Sequence, residues 1–247
     1  MTMSGEVVPE LSVVILCYQA EEFIPQCLAS VEAEMQRLGV PYEIILVANY
    51  ITGSKDRSPE IALGMMKTNP RVKVVAKPKE GMMGWDMRSG LEAASGRVLA
   101  LIDGDGQTNP SDIGRVYHEL CGRRLDLCQA FRVERRDGWQ RTLISRVYNG
   151  VFHLLFPGTE LHDVNGKPKM MTRQAYQQLR LKSTGWVTDA EIIIEARRNS
   201  WRIGEIPTVF GKRAVGRSSI NIGAILEFIQ YLLVYRIRGT RWGRRCQ

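Results

Sequence analysis

Short apolar runs alternate with stretches of helical spacing over the first hundred residues. LSVVILC, Leu11 to Cys17, is apolar and β-branched and predicts a buried strand. Glu21 to Leu38 follows with Phe23, Ile24, Cys27, Leu28 and Val31 at the intervals of one helix face. The unit recurs. YEIILV, Tyr42 to Val47, predicts a second strand, Ser58 to Lys67 a helix, and VKVVA, Val72 to Ala76, a third strand; Trp85 to Ala94 then reads as a helix and VLALI, Val98 to Ile102, as a fourth strand. Strands alternating with helices imply a parallel sheet covered on both faces, with ligands at the carboxyl ends of its strands. The first half of the chain therefore reads as a nucleotide-binding type of α/β unit.

Beyond Pro110 the pattern changes. A helix is expected near Ser111 to Cys121 and a short strand at Leu125 to Phe131, while RVERRDGWQR, starting at Arg132, is polar enough to predict a surface loop. Helical spacing returns over Thr142 to Leu155, Gly158 and Gly166 punctuate a loop, and Lys169 to Leu179 and Asp189 to Asn199 resume helix and strand. From Ile220 to Ile237, Ile222, Ile225, Leu226, Ile229, Leu232 and Leu233 mark one face of an amphipathic helix, and the basic tail RIRGTRWGRRCQ follows.

Composition narrows the class. The chain has 247 residues, 44% of them hydrophobic, which suits a folded domain with a sizeable core. Its 34 Lys and Arg against 26 Asp and Glu give a formal charge of +8, which favours polyanionic partners such as phosphates, nucleic acid or anionic lipid. The five cysteines form no CxxC pair, so neither a disulfide framework nor a zinc ribbon is predicted, and a reducing, cytoplasmic setting is expected. No apolar leader and no long uncharged apolar run is visible in the sequence, so membrane contact is expected to be peripheral.

The sharpest local feature is IDGDGQTNP, Ile102 to Pro110. A buried strand runs straight into Asp103 and Asp105, and Gly104 between them would let a bulky diphosphate approach the backbone. Both carboxylates can reach one hard divalent cation, with Gln107 as a third oxygen donor, and Mg²⁺ or Mn²⁺ would keep positions for phosphate and water. The alternative is an ordinary polar turn, since Asp and Gly are common turn residues. An EF-hand is disfavoured because Gly106 and Thr108 do not continue the alternation of acidic positions.

Several further segments carry a resemblance. LSVVILCYQAEEFIPQCLAS resembles the opening of family-2 glycosyltransferases, GSKD (Gly53 to Asp56) is similar to their GSxD, and KEGMMGWDMRSGLEAASGRVLALIDGDGQTNP resembles their glycine-rich segment leading to the DxD strand. Within the family the likeness is to dolichol-phosphate mannosyltransferases and related polyprenyl-phosphate hexosyltransferases, whose metal motif is DxDxQ followed by proline. AFR, ending at Arg132, resembles their small-Ser-Arg; SRVYN, from Ser145, their SR helix; and GKRAVGRSS, Gly211 to Ser219, their RxxGxSK. The likeness spans roughly residues 11 to 235. Three departures are visible: ANYITGSKD lacks the paired Asp before GSxD and leaves Asn49 as the nearby amide, Ser219 stands for the final Lys, and DVNGKPK (Asp163 to Lys169) lacks the aromatic of DxxxGF.

The resemblance implies a mostly parallel central sheet of the GT-A, Rossmann-like class with helices on both faces, in a single domain: residues 11–110 a nucleotide-sugar-binding half, 111–219 an acceptor half, and 220–247 the amphipathic helix and basic tail. It implies an inverting transferase that moves a hexose from GDP-mannose or a UDP-hexose to polyprenyl phosphate. Asp103 and Asp105 hold the metal with Gln107; Leu16, Tyr18, Glu22, Asn49, Asp103, Gly104, Arg213 and Arg217 bind the donor; Arg132 and Arg146 hold the acceptor phosphate. A phosphate acceptor needs no general base. A glycan hydroxyl would need one, and Asp189 in GWVTDAE is the candidate, although its place before AEIIIEA also suits a helix cap.

The helix near Ile222 to Leu233 and Arg213, Arg217, Arg236, Arg238, Arg241, Arg244 and Arg245 would seat the protein on an anionic bilayer, the alternative being that the helix packs on the domain. A nucleic-acid-binding module is the competing class, without a known RNA- or DNA-binding signature, and no nucleic-acid partner is expected. An inactive nucleotide-sugar binder is the third reading. The three histidines have no ligand spacing, and Cys17 is expected to be inert in its strand.

Overall fold

A computed structural model describes residues 8–135, 139–158, 161–211 and 228–237. The expected alternation is present: β1 (Leu11–Leu16), α1 (Ile24–Leu38), β2 (Tyr42–Val47), α2 (Ser58–Thr68), β3 (Val72–Val75), α3 (Met83–Ala93), β4 (Val98–Asp103) and α4 (Ser111–Gly122). The second half contributes β5 (Leu127–Arg135), α5 (Trp139–Leu155), β6 (Lys169–Thr172), α6 (Arg173–Gln178), α7 (Thr188–Arg198) and β7 (Ile203–Phe210), and residues 228–237 are helical. Local chemistry sets several ends. Pro25 opens α1 where no intrahelical donor is needed, Gly39 closes it in the left-handed region at φ 71°, and the Thr172 hydroxyl accepts from Ala175 N to cap α6.

All seven strands form one sheet in the order β3-β2-β1-β4-β6-β5-β7. Only β6 runs against the others, pairing antiparallel with both β4 and β5. Successive strand residues point to opposite faces, and each face has its own core. Val13, Ile15, Ile44, Leu46, Ala100 and Ile102 pack with α1, α2 and α4 on one side; Val14, Ile45, Val47, Leu99, Leu101 and Met171 pack with α3, α5 and α7 on the other.

The chain steps outward from β1 to β2 and β3, then returns to place β4 on the other side of β1. That reversal opens a crevice at the carboxyl ends of β1 and β4, the usual ligand position in open α/β sheets. Leu16 and Asp103 are register partners there. Because β6 is reversed, its amino end reaches the same edge: Leu101 pairs with Lys169.

Several expectations are corrected. RVERRDGWQR is not a loop throughout, because β5 runs on to Arg135 through its parallel pairing with β7, and α5 begins at Trp139. β7 itself was not anticipated: it is an edge strand with Pro207 inside it, and proline interrupts the apolar alternation that marks a strand. The predicted helix Ile220 to Ile237 is described only from 228, where Phe228 and Leu232 are buried in the second core and Leu233, Val234 and Ile237 are exposed. Residues 220–227 and the basic tail beyond 237 lie outside the described residues. No helix among the described residues is long and apolar enough to cross a membrane.

Candidate active site

Asp103 ends β4 and its carboxylate is 32% exposed in the crevice. Gly104 follows with its N–H donated to Leu16 O at 2.9 Å, and a Cβ there would stand 2.7 Å from that same oxygen, so only glycine lets the turn lie against the end of β1. Asp105, partly exposed, accepts Gln107 N on Oδ1 at 3.0 Å, which folds the motif into an Asx turn. Gln107 is 8% exposed; its Nε2 donates to Gly211 O and its own carbonyl accepts Gly211 N, so it fastens the end of β7 to the DxD turn. Arg213 and Arg217, just beyond Gly211, lie outside the described residues.

Hard oxygen donors at a strand end, partly open to the crevice, fit Mg²⁺ or Mn²⁺. Among the described residues no group of three or more His, Cys, Asp or Glu is arranged for a metal. Two carboxylates and the oxygen of one amide therefore suit an ion that takes its other ligands from phosphate or water.

Beside Asp103 lies a cluster the sequence reading did not assemble. Lys167 Nζ is 3.1 Å from Asp103 Oδ1 and 3.3 Å from Asp189 Oδ2, and Lys169 Nζ donates to Asp189 Oδ1 at 2.6 Å and to Val164 O at 2.9 Å. Lys167 is 2% exposed and Asp189 0%. Burial opposes every charge here. It works against the Lys167 ammonium, but Asp103 and Asp189 outweigh it and raise the pKa; it works against the Asp189 carboxylate, but the two lysines outweigh it and hold the carboxyl below its usual range. Lys169, with Asp189 as its main anionic neighbour, is lowered by burial.

Asp189 accordingly does not cap α7. The N-cap is Val187, without a side-chain bond, and Asp189 is drawn toward the sheet by Lys169 of the reversed β6 and Lys167 just before it. It is fully enclosed, with its carboxyl held below the usual range by the two lysines. The signal for this cluster was the departure in DVNGKPK, where Lys167 occupies the segment that lacks the expected aromatic.

The β2 and α3 side of the crevice holds a second network. Asn49 is fully buried: its Nδ2 donates to Asp86 Oδ1 at 2.8 Å and its Oδ1 accepts Lys77 N at 2.9 Å. Both ends of the amide are engaged inside the protein. Lys79 pairs with Asp86 Oδ2 and lies 4.2 Å above the Tyr18 ring at the end of β1. Burial raises the Asp86 pKa, offset in part by Lys79. Leu16 and Tyr18 thus border the crevice, both partly exposed, while Glu22 is exposed in the short turn before α1. Asp56 of GSKD accepts Gln19 N at 3.2 Å and Ser58 N at 2.9 Å, tying the β1 and β2 loops together.

Arg132 sits on β5 with its guanidinium forked onto Asp163: Nη2 to Oδ1 at 2.7 Å and Nε to Oδ2 at 2.5 Å. Burial would raise the Asp163 carboxyl, but Arg132 outweighs it and holds the pKa low. Arg146 is exposed on α5. Cys17 is buried, and burial pushes its thiol well above the usual range; Cys27 is pushed up to about 12 by burial and by Asp105.

A mostly parallel sheet with an acidic strand-end turn at its switch point defines a GT-A type of glycosyltransferase fold. The solved structure of glucosyl-3-phosphoglycerate synthase from Mycobacterium tuberculosis, in complex with Mn²⁺, uridine diphosphate and phosphoglyceric acid, shares it: TM-score 0.70 at 20% identity, covering 92% of this chain and 78% of that one. The chain belongs to glycosyl transferase family 2, whose profile matches residues 12–181, and is a glycosyltransferase enzyme. Among its relatives are a dolichyl-phosphate beta-glucosyltransferase of Trichomonas vaginalis, 23% identical over 92% of this chain and 74% of that protein, and a dodecaprenyl-phosphate galacturonate synthase of Rhizobium johnstonii, 27% identical over 91% and 65%. An undecaprenyl-phosphate 4-deoxy-4-formamido-L-arabinose transferase of Edwardsiella ictaluri is 28% identical over 90% of this chain and 66% of that one. The chain thus spans between 65% and 74% of the length of these relatives.

Proposed function

We propose that this enzyme moves a hexose from a nucleotide sugar, GDP-mannose or a UDP-hexose, to a polyprenyl phosphate, with inversion at the anomeric carbon. The observation that carries the acceptor class is the state of Asp189. A sugar hydroxyl must lose a proton as it attacks, whereas Asp189 is 0% exposed and its lysines oppose proton uptake. A phosphate monoester brings an oxygen that is already anionic. Dolichyl, dodecaprenyl and undecaprenyl phosphate in the names of the relatives support the same reading.

In the step we propose, an acceptor phosphate oxygen bonds to the anomeric carbon as the bond from that carbon to the diphosphate breaks. The electron pair leaves with the nucleoside diphosphate, and no protein group exchanges a proton. Asp103 and Asp105, with the Gln107 amide oxygen, would hold Mg²⁺ or Mn²⁺, which when bound supplies positive charge against the departing diphosphate. Gly104 is assigned to the donor diphosphate, and Tyr18 and Lys79 border the donor side. Arg132, oriented by Asp163, and Arg146 are assigned to the acceptor phosphate, and Arg213 and Arg217 to the donor diphosphate.

A lipid acceptor requires access to a bilayer. Leu233, Val234 and Ile237, exposed on a helix anchored by Phe228 and Leu232, and the exposed Val147 and Leu154 of α5 support a peripheral seat on the membrane. The experiment is transfer of labelled sugar from GDP- and UDP-sugars to polyprenyl phosphate in vesicles, with Mn²⁺ and then with EDTA. Asp105→Ala is expected to lower turnover by at least about a hundredfold. Undiminished Mn²⁺-dependent turnover in that variant would remove Asp105 from the metal site.

A further inference from the structure

A buried lysine whose ammonium touches the first Asp of a metal motif is an unusual neighbour for a divalent cation. Lys167 Nζ stands 3.1 Å from Asp103 Oδ1, 3.3 Å from Asp189 Oδ2 and 3.6 Å from Met83 Sδ, and at 2% exposure it has no route to solvent without a rearrangement of the strand end. Its position is set by the fold. Lys167 precedes Pro168 and the reversed β6, whose amino end is fixed against β4 by the Leu101 and Lys169 pairing. The ammonium is therefore a permanent part of the crevice wall.

We propose that Lys167 is a positioning residue that acts as the resident counter-ion of Asp103, so that a divalent cation enters the crevice together with the nucleotide diphosphate and not alone. This inference rests on the assignment of the metal to Asp103 and Asp105. The charge balance carries it. Asp103 and Asp189 against Lys167 and Lys169 leave no net charge, so a lone divalent cation would turn the cluster positive while pressing against the Lys167 ammonium. A diphosphate arriving with the cation compensates both positive centres. Lys167 keeps Asp103 in place throughout.

Removing Lys167 is tolerable for Asp189, which keeps Lys169 at 2.6 Å. The test reads Mn²⁺ binding directly, from the electron paramagnetic resonance signal of the free aquo ion, for the unaltered protein, Lys167→Met, Lys167→Gln and Lys167→Arg. Each is titrated without nucleotide and with UDP or GDP, with correction for Mn²⁺ held by nucleotide free in solution. Without nucleotide, Lys167→Met and Lys167→Gln should bind Mn²⁺ at least about tenfold more tightly than the unaltered protein, and Lys167→Arg should match it. The Gln variant, polar and of similar length, keeps the test informative if the Met variant does not fold, and thermal melts establish which variants are folded.

Equal Mn²⁺ affinity in the unaltered protein and the neutral variants, or weaker affinity in the variants, overturns the role of Lys167 while leaving the metal site itself standing. If no form of the protein retains Mn²⁺ even with UDP or GDP present, the metal assignment fails, and the proposal fails with it.

Discussion

Two buried aspartates flank the crevice, each held by lysine, and they differ in which force prevails. Asp86 on α3 faces one ammonium, Lys79, with the Asn49 amide beside it, and burial keeps its pKa raised. Asp189 on α7 faces two, Lys167 and Lys169, and the charges overcome a more complete burial to hold its pKa low. For Asp86 one ammonium does not offset the desolvation; for Asp189 two do. The Asp86 network is thus a packed wall that accommodates an ion pair, whereas the Asp189 network is an electrostatic cluster continuous with Asp103.

The comparison is sharpened most by Asp189→Asn. It leaves two buried lysines short of their shared anion and should cost about 3–5 kcal/mol in urea unfolding. The same group sets a pH dependence. A carboxyl whose folded pKa is depressed contributes stability that is fully present above the ordinary value of about 4 and is lost as pH falls toward the depressed one. Melting temperature should therefore drop on acidification below about pH 4, and Asp189→Asn should drop less steeply over that range.

Gly84→Ala tests whether the two regions are mechanically joined. Its Cβ would stand 2.0 Å from Thr188 Oγ1 and 2.6 Å from Gly185 O, wedging α3, which carries Asp86, from the start of α7, which carries Asp189. A loss of about 1–3 kcal/mol is expected from the overpacking. Asp86→Asn should be milder, about 1 kcal/mol, because neutralising a carboxylate whose charge is already opposed by burial removes part of the penalty with the bond. Equal costs for Asp86→Asn and Asp189→Asn would abolish the distinction between wall and cluster. Tyr235→Phe should have the smallest effect, about 0.5–1.5 kcal/mol, by removing the hydroxyl donated to Glu191 of α7 at 2.5 Å.

What was legible in the chain follows the same division. β1 to β4 are largely apolar runs and α1 to α4 follow helical spacing, so the order of elements and the DxD turn could be read directly, whereas the strand order that makes the switch point could not. The second half resisted for a physical reason. Strand direction is not encoded in a four-residue apolar segment, and only the reversal of β6 carries Lys167 and Lys169 to the crevice. Edge strand β7, broken by Pro207, gave no periodic signal either, and with it the extension of β5 was lost. Asn49 was singled out because it lies near GSKD in sequence, but the packing of α3 brings Asp86 onto it and turns the amide inward. Arg132 was found by motif; its fork to Asp163, 31 residues away, depends on tertiary structure.

The most direct measurement is a competition between polyprenyl phosphate and the corresponding polyprenol, presented in the same vesicles with labelled nucleotide sugar and Mn²⁺. The account predicts label in the lipid fraction only where the phosphate is present, and a rate independent of pH across the range where that phosphate is ionised. Transfer to the polyprenol at a comparable rate would mean that a protein group takes the hydroxyl proton, and would contradict the reading of Asp189 as an enclosed, permanently ionised counter-ion.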